Sequence, residues 1–356
     1  MLRYFKYRTP FKHVFKTAIR DFIYREGIFL VYEEGDFSAF GEVAPLPGFS
    51  NENFAQVEQV LIQNKEFLSK AYKENDADQI IKLLDQIHNF PSLSFGLDSL
   101  NVDLKAKREN QSLSLFLFGK EAYSPFCNTT IGMQSKEKII PTIRTKVSEG
   151  FNTIKIKVGV AFESEKTILQ TIRAEFPKIK IRVDANQAWD VNEAIENLTS
   201  IANLGIEYCE QPVAAEDINA LKKVTENTEI KIAADESLGN KNRTKQLIEQ
   251  NCCDLIILKP ALIGLFDNIN VTKQLAETHN MEVVFTTLMD GIIGRKITAV
   301  LASNLGSSTY AHGLATGTLL NEKKTETELI KKGKYIFQKT SGIGNPINLT
   351  LLEEII

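Results

Sequence analysis

Apolar positions along this chain follow two rhythms. Up to about residue 100, Phe22-Ile23-Tyr24 and Ile28-Phe29-Leu30-Val31-Tyr32 are short aromatic and β-branched runs on either side of Arg25-Glu26-Gly27, which predicts antiparallel strands broken by a charged turn. Glu33-Glu34-Gly35-Asp36 predicts the next turn. The prolines and glycine of Pro45-Leu46-Pro47-Gly48-Phe49-Ser50 predict an ordered loop. Val57, Val60, Leu61 and Phe67-Leu68, then Ile80, Leu83, Leu84 and Ile87, fall at helical spacing. This first part reads as an α+β unit.

From about residue 126 the rhythm becomes short β-rich runs alternating with amphipathic stretches, the pattern of parallel βα units. Candidate strands end near Lys157, Asp184, Glu210, Asp235, Lys259, Thr286 and His312, at steps of 24 to 27 residues. Each step holds one strand, one helix and two loops. With a first strand around Cys127 to Ile131 there are about eight units, the number at which a (β/α) barrel of TIM type closes. An open doubly wound sheet is the rival, but the glycine-rich turn that such a sheet carries is absent. Past residue 333 the beat is lost, and Tyr335-Ile336-Phe337 and Gly342-Ile343-Gly344-Asn345-Pro346 predict a strand and a loop. The expected organisation is an α+β domain over 1–120, a barrel over 121–332, and a segment over 333–356 that returns to the first domain. The charge-rich stretches 70–78 and 321–333 are read as solvated surface.

Composition narrows the partners. In 356 residues, 43% hydrophobic and 24% charged content excludes a mainly disordered chain. Lys plus Arg number 42 against 45 Asp plus Glu, a net charge of −3 without a polybasic face, so no nucleic acid is expected. No apolar run approaches the roughly 20 residues that cross a bilayer, and the start lacks a signal-peptide run, so no membrane and a cytoplasmic location are expected. Cys127, Cys209, Cys252 and Cys253 show no C-x-x-C pair, which predicts reduced thiols and no zinc. His13, His88, His279 and His312 lack the spacing of a helical metal site.

Chemistry gathers at the strand ends, which converge on one face of a barrel. Five successive ends carry Lys157, Asp184, Glu210, Asp235 and Lys259. Three neighbouring carboxylates repel one another unless a cation lies between them. With neither His nor Cys in the set, a hard oxygen-liganded ion such as Mg²⁺ suits them best. The two lysines flank the trio on opposite sides of the mouth. Lys155 and Lys157 share one strand face, and Lys157 is nearer the end. A lysine serves as base only with a depressed pKa, which a nearby cation or burial supplies.

Lys155-x-Lys157, Asp184, Glu210, Asp235 and Lys259 resemble the enolase superfamily, in its muconate-lactonizing branch, over nearly the whole chain; the first domain resembles that family's capping domain. Within the branch, Gly41-Glu42-Val43-Ala44-Pro45-Leu46-Pro47-Gly48-Phe49-Ser50, Asp184-Ala185-Asn186-Gln187-Ala188-Trp189, Asp235-Glu236-Ser237-Leu238, Lys259-Pro260-Ala261-Leu262-Ile263-Gly264 and His312-Gly313-Leu314-Ala315-Thr316 are most similar to o-succinylbenzoate synthases. The resemblance implies Mg²⁺ on Asp184, Glu210 and Asp235, and Lys157 and Lys259 as catalytic groups. It implies proton abstraction from a small carboxylate substrate through an ene-diolate. The reaction would be dehydration of 2-succinyl-6-hydroxy-2,4-cyclohexadiene-1-carboxylate to o-succinylbenzoate, in menaquinone biosynthesis. Lys155, Arg182, Asn186, Asp290, Gly313 and Leu314 are candidate substrate contacts or supports, with Arg182 equally readable as a salt bridge at the core edge and Gly313 and Leu314 as backbone alone. Asp290 stands where the family carries glutamate. Segments 17–26 and 45–51 are expected to close over the mouth or to form a domain interface.

Two rivals remain. A dipeptide epimerase or N-succinylamino acid racemase resembles this chain at all five positions, yet dipeptide epimerases carry Asp-x-Asp at the eighth strand where this chain has Gly313-Leu314-Ala315. A non-catalytic carboxylate-binding barrel would have lost a lysine or a carboxylate, and none is missing. The oligomeric state is not written in the sequence.

Overall fold

The computed structural model describes residues 1–16, 21–86, 90–132, 135–322 and 330–355. Ile87, His88, 17–20 of the first closing segment and most of the 321–333 stretch lie outside them. The chain opens with strands β1 (Leu2–Lys16), β2 (Asp21–Glu34) and β3 (Phe37–Val43). A two-residue turn at Gly35-Asp36 joins β2 to β3, with Glu34 opposite Phe37. The break expected at Arg25-Glu26-Gly27 does not occur, because β2 runs straight through. Gly27 pairs with Tyr7, whose hydroxyl lies 2.6 Å from where a Cβ would stand. The glycine makes room for that ring instead of a turn.

Helices α1 (Phe54–Gln63), α2 (Lys65–Glu74), α3 (Ala77–Gln86), α4 (Pro91–Arg108) and α5 (Leu113–Phe118) follow. The long α4 escaped the periodicity reading because it is buried nearly all round, serines included, and so shows no apolar stripe. Small residues let it approach the sheet: a Cβ on Gly41 would stand 2.2 Å from the Gly96 carbonyl oxygen.

The barrel comprises β4 (Thr129–Ile131), α6 (Lys136–Ser148), β5 (Thr153–Lys157), α7 (Phe162–Glu175), β6 (Lys180–Asp184) and α8 (Val191–Ser200). It continues through β7 (Ile206–Glu210), α9 (Ile218–Glu226), β8 (Ile232–Ala234), α10 (Lys241–Glu249) and β9 (Leu255–Leu258). The short α11 (Pro260–Ile263), α12 (Phe266–Thr278), β10 (Glu282–Phe285) and α13 (Ile292–Leu305) complete it. The seven strands β4 to β10 pair in parallel in chain order. The eighth unit is reduced to two residues. His312 bridges Cys127 and Gly313 bridges Thr286, both in parallel, and these close the ring. Outward residues such as Ile154, Ile156, Ile181, Val183 and Ile256 join the helices in the main core. Tyr208, Ala233, Leu255, Ile257, Val284 and Tyr310 fill the barrel from inside.

After a small hairpin, β11 (Ile330–Lys331) and β12 (Lys334–Tyr335), the tail reaches β13 (Glu353–Ile355), which pairs antiparallel with β1. The first sheet therefore has the order β13-β1-β2-β3. No described helix is long and apolar enough to cross a membrane.

Candidate active site

Alternation along each strand decides which side chains meet. Ile156 and Val183 face the helices, so Lys155 and Lys157 on β5 and Asp184 on β6 face inward, as does Glu210 on β7. Asp235 and Lys259 stand just past the ends of β8 and β9. All six are buried or nearly so, with Asp184 and Glu210 each 1% exposed. In a ring of eight positions, β5 and β9 are four apart, so their lysines face each other across the mouth.

Lysine amines and carboxylates are interleaved there. Lys155 Nζ donates to both Glu210 oxygens at 2.7 and 2.8 Å and lies 3.0 Å from Asp184 Oδ2. Lys157 Nζ donates to Asp184 Oδ2 at 2.6 Å and to Asn186 Oδ1. Lys259 Nζ donates to both Asp235 oxygens at 2.5 and 2.6 Å, under the Phe49 ring at 5.0 Å. Burial pushes Glu210 up to about 8, with repulsion from Asp184 adding to it. Burial likewise raises Asp235. Burial also acts to raise Asp184, but Lys155 and Lys157 outweigh it and hold that carboxyl low. For Lys155 burial works downward, yet Asp184 and Glu210 hold the amine well above the ordinary lysine value; for Lys259 burial also works downward, and Asp235 and Glu236 outweigh it and raise the amine. The depressed lysine expected of a base is therefore not found at Lys155 or Lys259, because each amine is paired with a carboxylate.

Three buried, mutually repelling carboxylates form an all-oxygen donor set, which fits a hard divalent cation. Among the described residues no three such ligands converge on one point, since lysine amines stand between them. The mouth encloses about 80 Å³, walled by Leu46, Phe49, Thr130, Thr286, Thr287, Leu288, Met289, Thr316 and Leu319. That is room for a few waters, well under the roughly 300 Å³ of a ligand pocket. Two larger recesses, of about 560 and 640 Å³, lie elsewhere; only the second touches this chemistry, at Lys157.

The remaining candidates divide. Asn186 lines the mouth, accepting from Lys157 and donating to Glu236 Oε1 at 2.9 Å. Gly313 lines an adjoining recess with Thr130 and Thr286. Leu314 does not: it is fully buried in the main core. Arg182 faces inward one rung below Asp184, at the barrel floor, where Nε donates to Glu207 at 2.6 Å and Nη1 to the Ala311 carbonyl at 2.7 Å. Of the two readings kept open for it, the salt bridge is the one observed. Asp290 sits behind the wall, accepting from Leu288 N at 2.9 Å and facing the first domain. Of the two expected closing segments, 45–51 brings Leu46 and Phe49 to the mouth. In the other, Arg25 is buried and donates to the Ala44, Pro45 and Met289 carbonyls.

Sequence reasoning missed Glu236 and the threonine wall. Strict alternation turns the neighbour of Asp235 away, but β8 ends at Ala234 and the chain enters a 3₁₀ turn over Glu236–Leu238, so Glu236 swings to Asn186. The pair of adjacent acids in Asp235-Glu236 was the available signal. Threonines are common strand residues, and nothing in their spacing marks a wall.

Comparison with known proteins agrees with this architecture. Residues 140–350 match the family described as enolase C-terminal domain-like, and residues 1–104 match the MenC N-terminal domain. An L-Ala-D/L-Glu epimerase of Francisella tularensis subsp. novicida is 27% identical over 300 residues, 82% of this chain and 83% of the relative. A D-Ala-D/L-Ala epimerase of Cytophaga hutchinsonii is 32% identical over 59% of this chain and 54% of its own length. Among solved structures, the muconate lactonizing enzyme of Pseudomonas fluorescens complexed with muconolactone superposes with a TM-score of 0.89 at 19% identity, covering 98% of this chain and 96% of that one. The dipeptide epimerase of Cytophaga hutchinsonii complexed with Mg and D-Ala-L-Val gives 0.88 at 23%, covering 99% and 98%. At such identities the structural likeness establishes the fold. With more than half of its length matched by the family, the chain belongs to the enolase C-terminal domain-like family.

Proposed function

We propose that this chain is a Mg²⁺-dependent enzyme that takes a proton from the carbon beside a substrate carboxylate and then expels a neighbouring hydroxyl, forming o-succinylbenzoate from 2-succinyl-6-hydroxy-2,4-cyclohexadiene-1-carboxylate. The observation that carries this reading is the charge of the mouth. Its lining carboxylates are Asp184, Glu210 and Asp235, and the wall from the seventh and eighth units presents Thr286, Thr287, Leu288, Met289 and Thr316. A dipeptide would bring an ammonium into this wall with no carboxylate to meet it, which costs several kcal/mol for a desolvated charge. A substrate that is anionic and otherwise uncharged meets no such cost. The match of residues 1–104 to the MenC N-terminal domain supports the same reading.

Asp184, Glu210 and Asp235 would hold the metal, which would supply a fixed positive charge for the substrate carboxylate. Lys157 removes the proton, breaking the C–H bond, and as an ammonium returns a proton to the departing hydroxyl, so that water leaves and the ring becomes aromatic. Lys259, opposite, keeps its charge under Phe49 and faces the negative charge that develops. Asn186 holds the Lys157 amine by its carbonyl oxygen. Phe49 and Leu46 exclude water.

Dipeptide epimerisation is the second reading, favoured by the names of the relatives. An ultraviolet assay with the cyclohexadiene carboxylate, run beside proton NMR of L-Ala-L-Glu in D₂O, separates the two. Mg²⁺-dependent appearance of o-succinylbenzoate with no α-proton exchange in the dipeptide supports dehydration. The reverse pattern replaces it with epimerisation.

A further inference from the structure

The first domain grips the barrel loop that walls the mouth. Glu42 on β3 is 2% exposed, and its carboxylate crosses to the start of α13. Oε1 accepts from Gly291 N at 2.5 Å and Oε2 from Gly294 N at 2.8 Å. Tyr7 on β1 donates its hydroxyl to Oε1 at 2.5 Å. α13 has no side-chain cap of its own, so an acceptor from the other domain satisfies its open amides and meets the positive end of the helix. Just before α13, Met289 has φ 54°, in the left-handed region, a conformation costly for a residue with a long side chain. Its carbonyl is held by Arg25 Nε at 3.2 Å. Arg25 and Glu42 thus hold the loop at its strained residue and at the helix start just beyond it, and this loop places Thr286, Thr287 and Leu288 in the mouth.

We infer that Glu42, with Arg25, is a positioning residue for catalysis: it touches no substrate, but it sets the shape of the Thr286–Met289 wall from the neighbouring domain. Without the clamp, Met289 relaxes toward ordinary backbone angles and the wall leaves the mouth, while the strand-end lysines and carboxylates stay where β5 to β9 put them.

Hydrogen exchange followed by mass spectrometry tests this without a substrate. In Glu42→Gln, one carboxylate oxygen becomes an amide nitrogen that cannot accept from Gly294, and the peptide spanning 286–294 should exchange about tenfold faster. Peptides covering β5 and β6 should be unchanged. Tyr7→Phe, which removes one hydroxyl and keeps the carboxylate, should show the same local change at smaller size and serves if the first variant folds poorly. With whichever substrate the wild-type chain turns over, KM should rise several-fold while kcat changes less. Unchanged exchange at 286–294, or faster exchange spread equally over β5 and β6, overturns the inference, the second outcome leaving Glu42 a purely structural residue. Loss of the function proposed above would leave the exchange result untouched.

Discussion

The two ends of the barrel are built from the same strands and end in opposite states. Arg182 and Asp184 are two residues apart on β6, as are Tyr208 and Glu210 on β7, so each strand contributes one rung to the floor and one to the mouth. At the floor the Arg182 guanidinium pairs with Glu207 and lies 4.6 Å from the Tyr208 ring centroid and 5.9 Å from that of Tyr310, whose hydroxyl accepts from Lys231 at 3.0 Å. There the charges meet aromatic rings and carbonyls inside a filled interior. At the mouth, three lysines and three carboxylates pair around open space. Identical alternation therefore gives stability where the partners are fixed and chemistry where a ligand can compete for them.

The largest test of this contrast is at Lys157. Lys157→Ala should cut turnover about 10³-fold in the Mg²⁺-dependent ultraviolet assay, whereas Arg182→Met should leave turnover of the folded protein near the wild-type value. An active Lys157→Ala would reduce the mouth to another structural ion cluster. The converse measurement is urea unfolding. Arg182→Met should lower stability by roughly 3 to 4 kcal/mol, because Glu207 and the Ala311 carbonyl lose a buried partner, with a smaller loss for Lys157→Ala, since Lys155 still pairs Asp184.

A pH titration probes the floor from its other side. Burial, then the Arg182 charge, lowers His312 to about 4. Its ring accepts from Phe285 N at 3.1 Å and sits 3.1 Å from the Ser307 carbonyl. The unfolded chain binds a proton near 6.5 that the folded chain refuses, so this stability is present above 6.5 and lost as pH falls toward 4. It amounts to about 3 kcal/mol, and the corresponding slope should be flat in His312→Gln. The smallest effect belongs to the mouth alone: Mg²⁺ at 100 times its Kd should stabilise the wild-type chain by about 2.7 kcal/mol, and Asp235→Asn should lose most of this. A metal response that survives Asp235→Asn would move the cation away from this trio.

Much of this was legible in the chain, and for stated reasons. The 24- to 27-residue beat marked each strand end because charged residues closing apolar β-rich runs are conspicuous. The same beat could not show that the eighth unit contributes only His312 and Gly313 to the ring, since a bridge of two residues has no periodicity. Helix α4 was hidden by burial on all sides. Arg182 stayed open between pocket and salt bridge, and Leu314 between pocket and backbone, because a strand position fixes a face, whereas depth along the barrel axis depends on neighbouring strands. The capping role of Glu42 gave no sign, because the amides it caps are some 250 residues away.

By itself the sequence determined which residues share an inward face and how many units repeat. Those properties follow from the two-residue period of a strand and the length of a βα unit, both local. Only the tertiary structure decided which charges became floor and which became mouth, which carboxylate each lysine pairs with, and that a glutamate of one domain caps a helix of the other. Those outcomes depend on which strand lies beside which and on how far each side chain sits from water, and neither is encoded in any short stretch of chain.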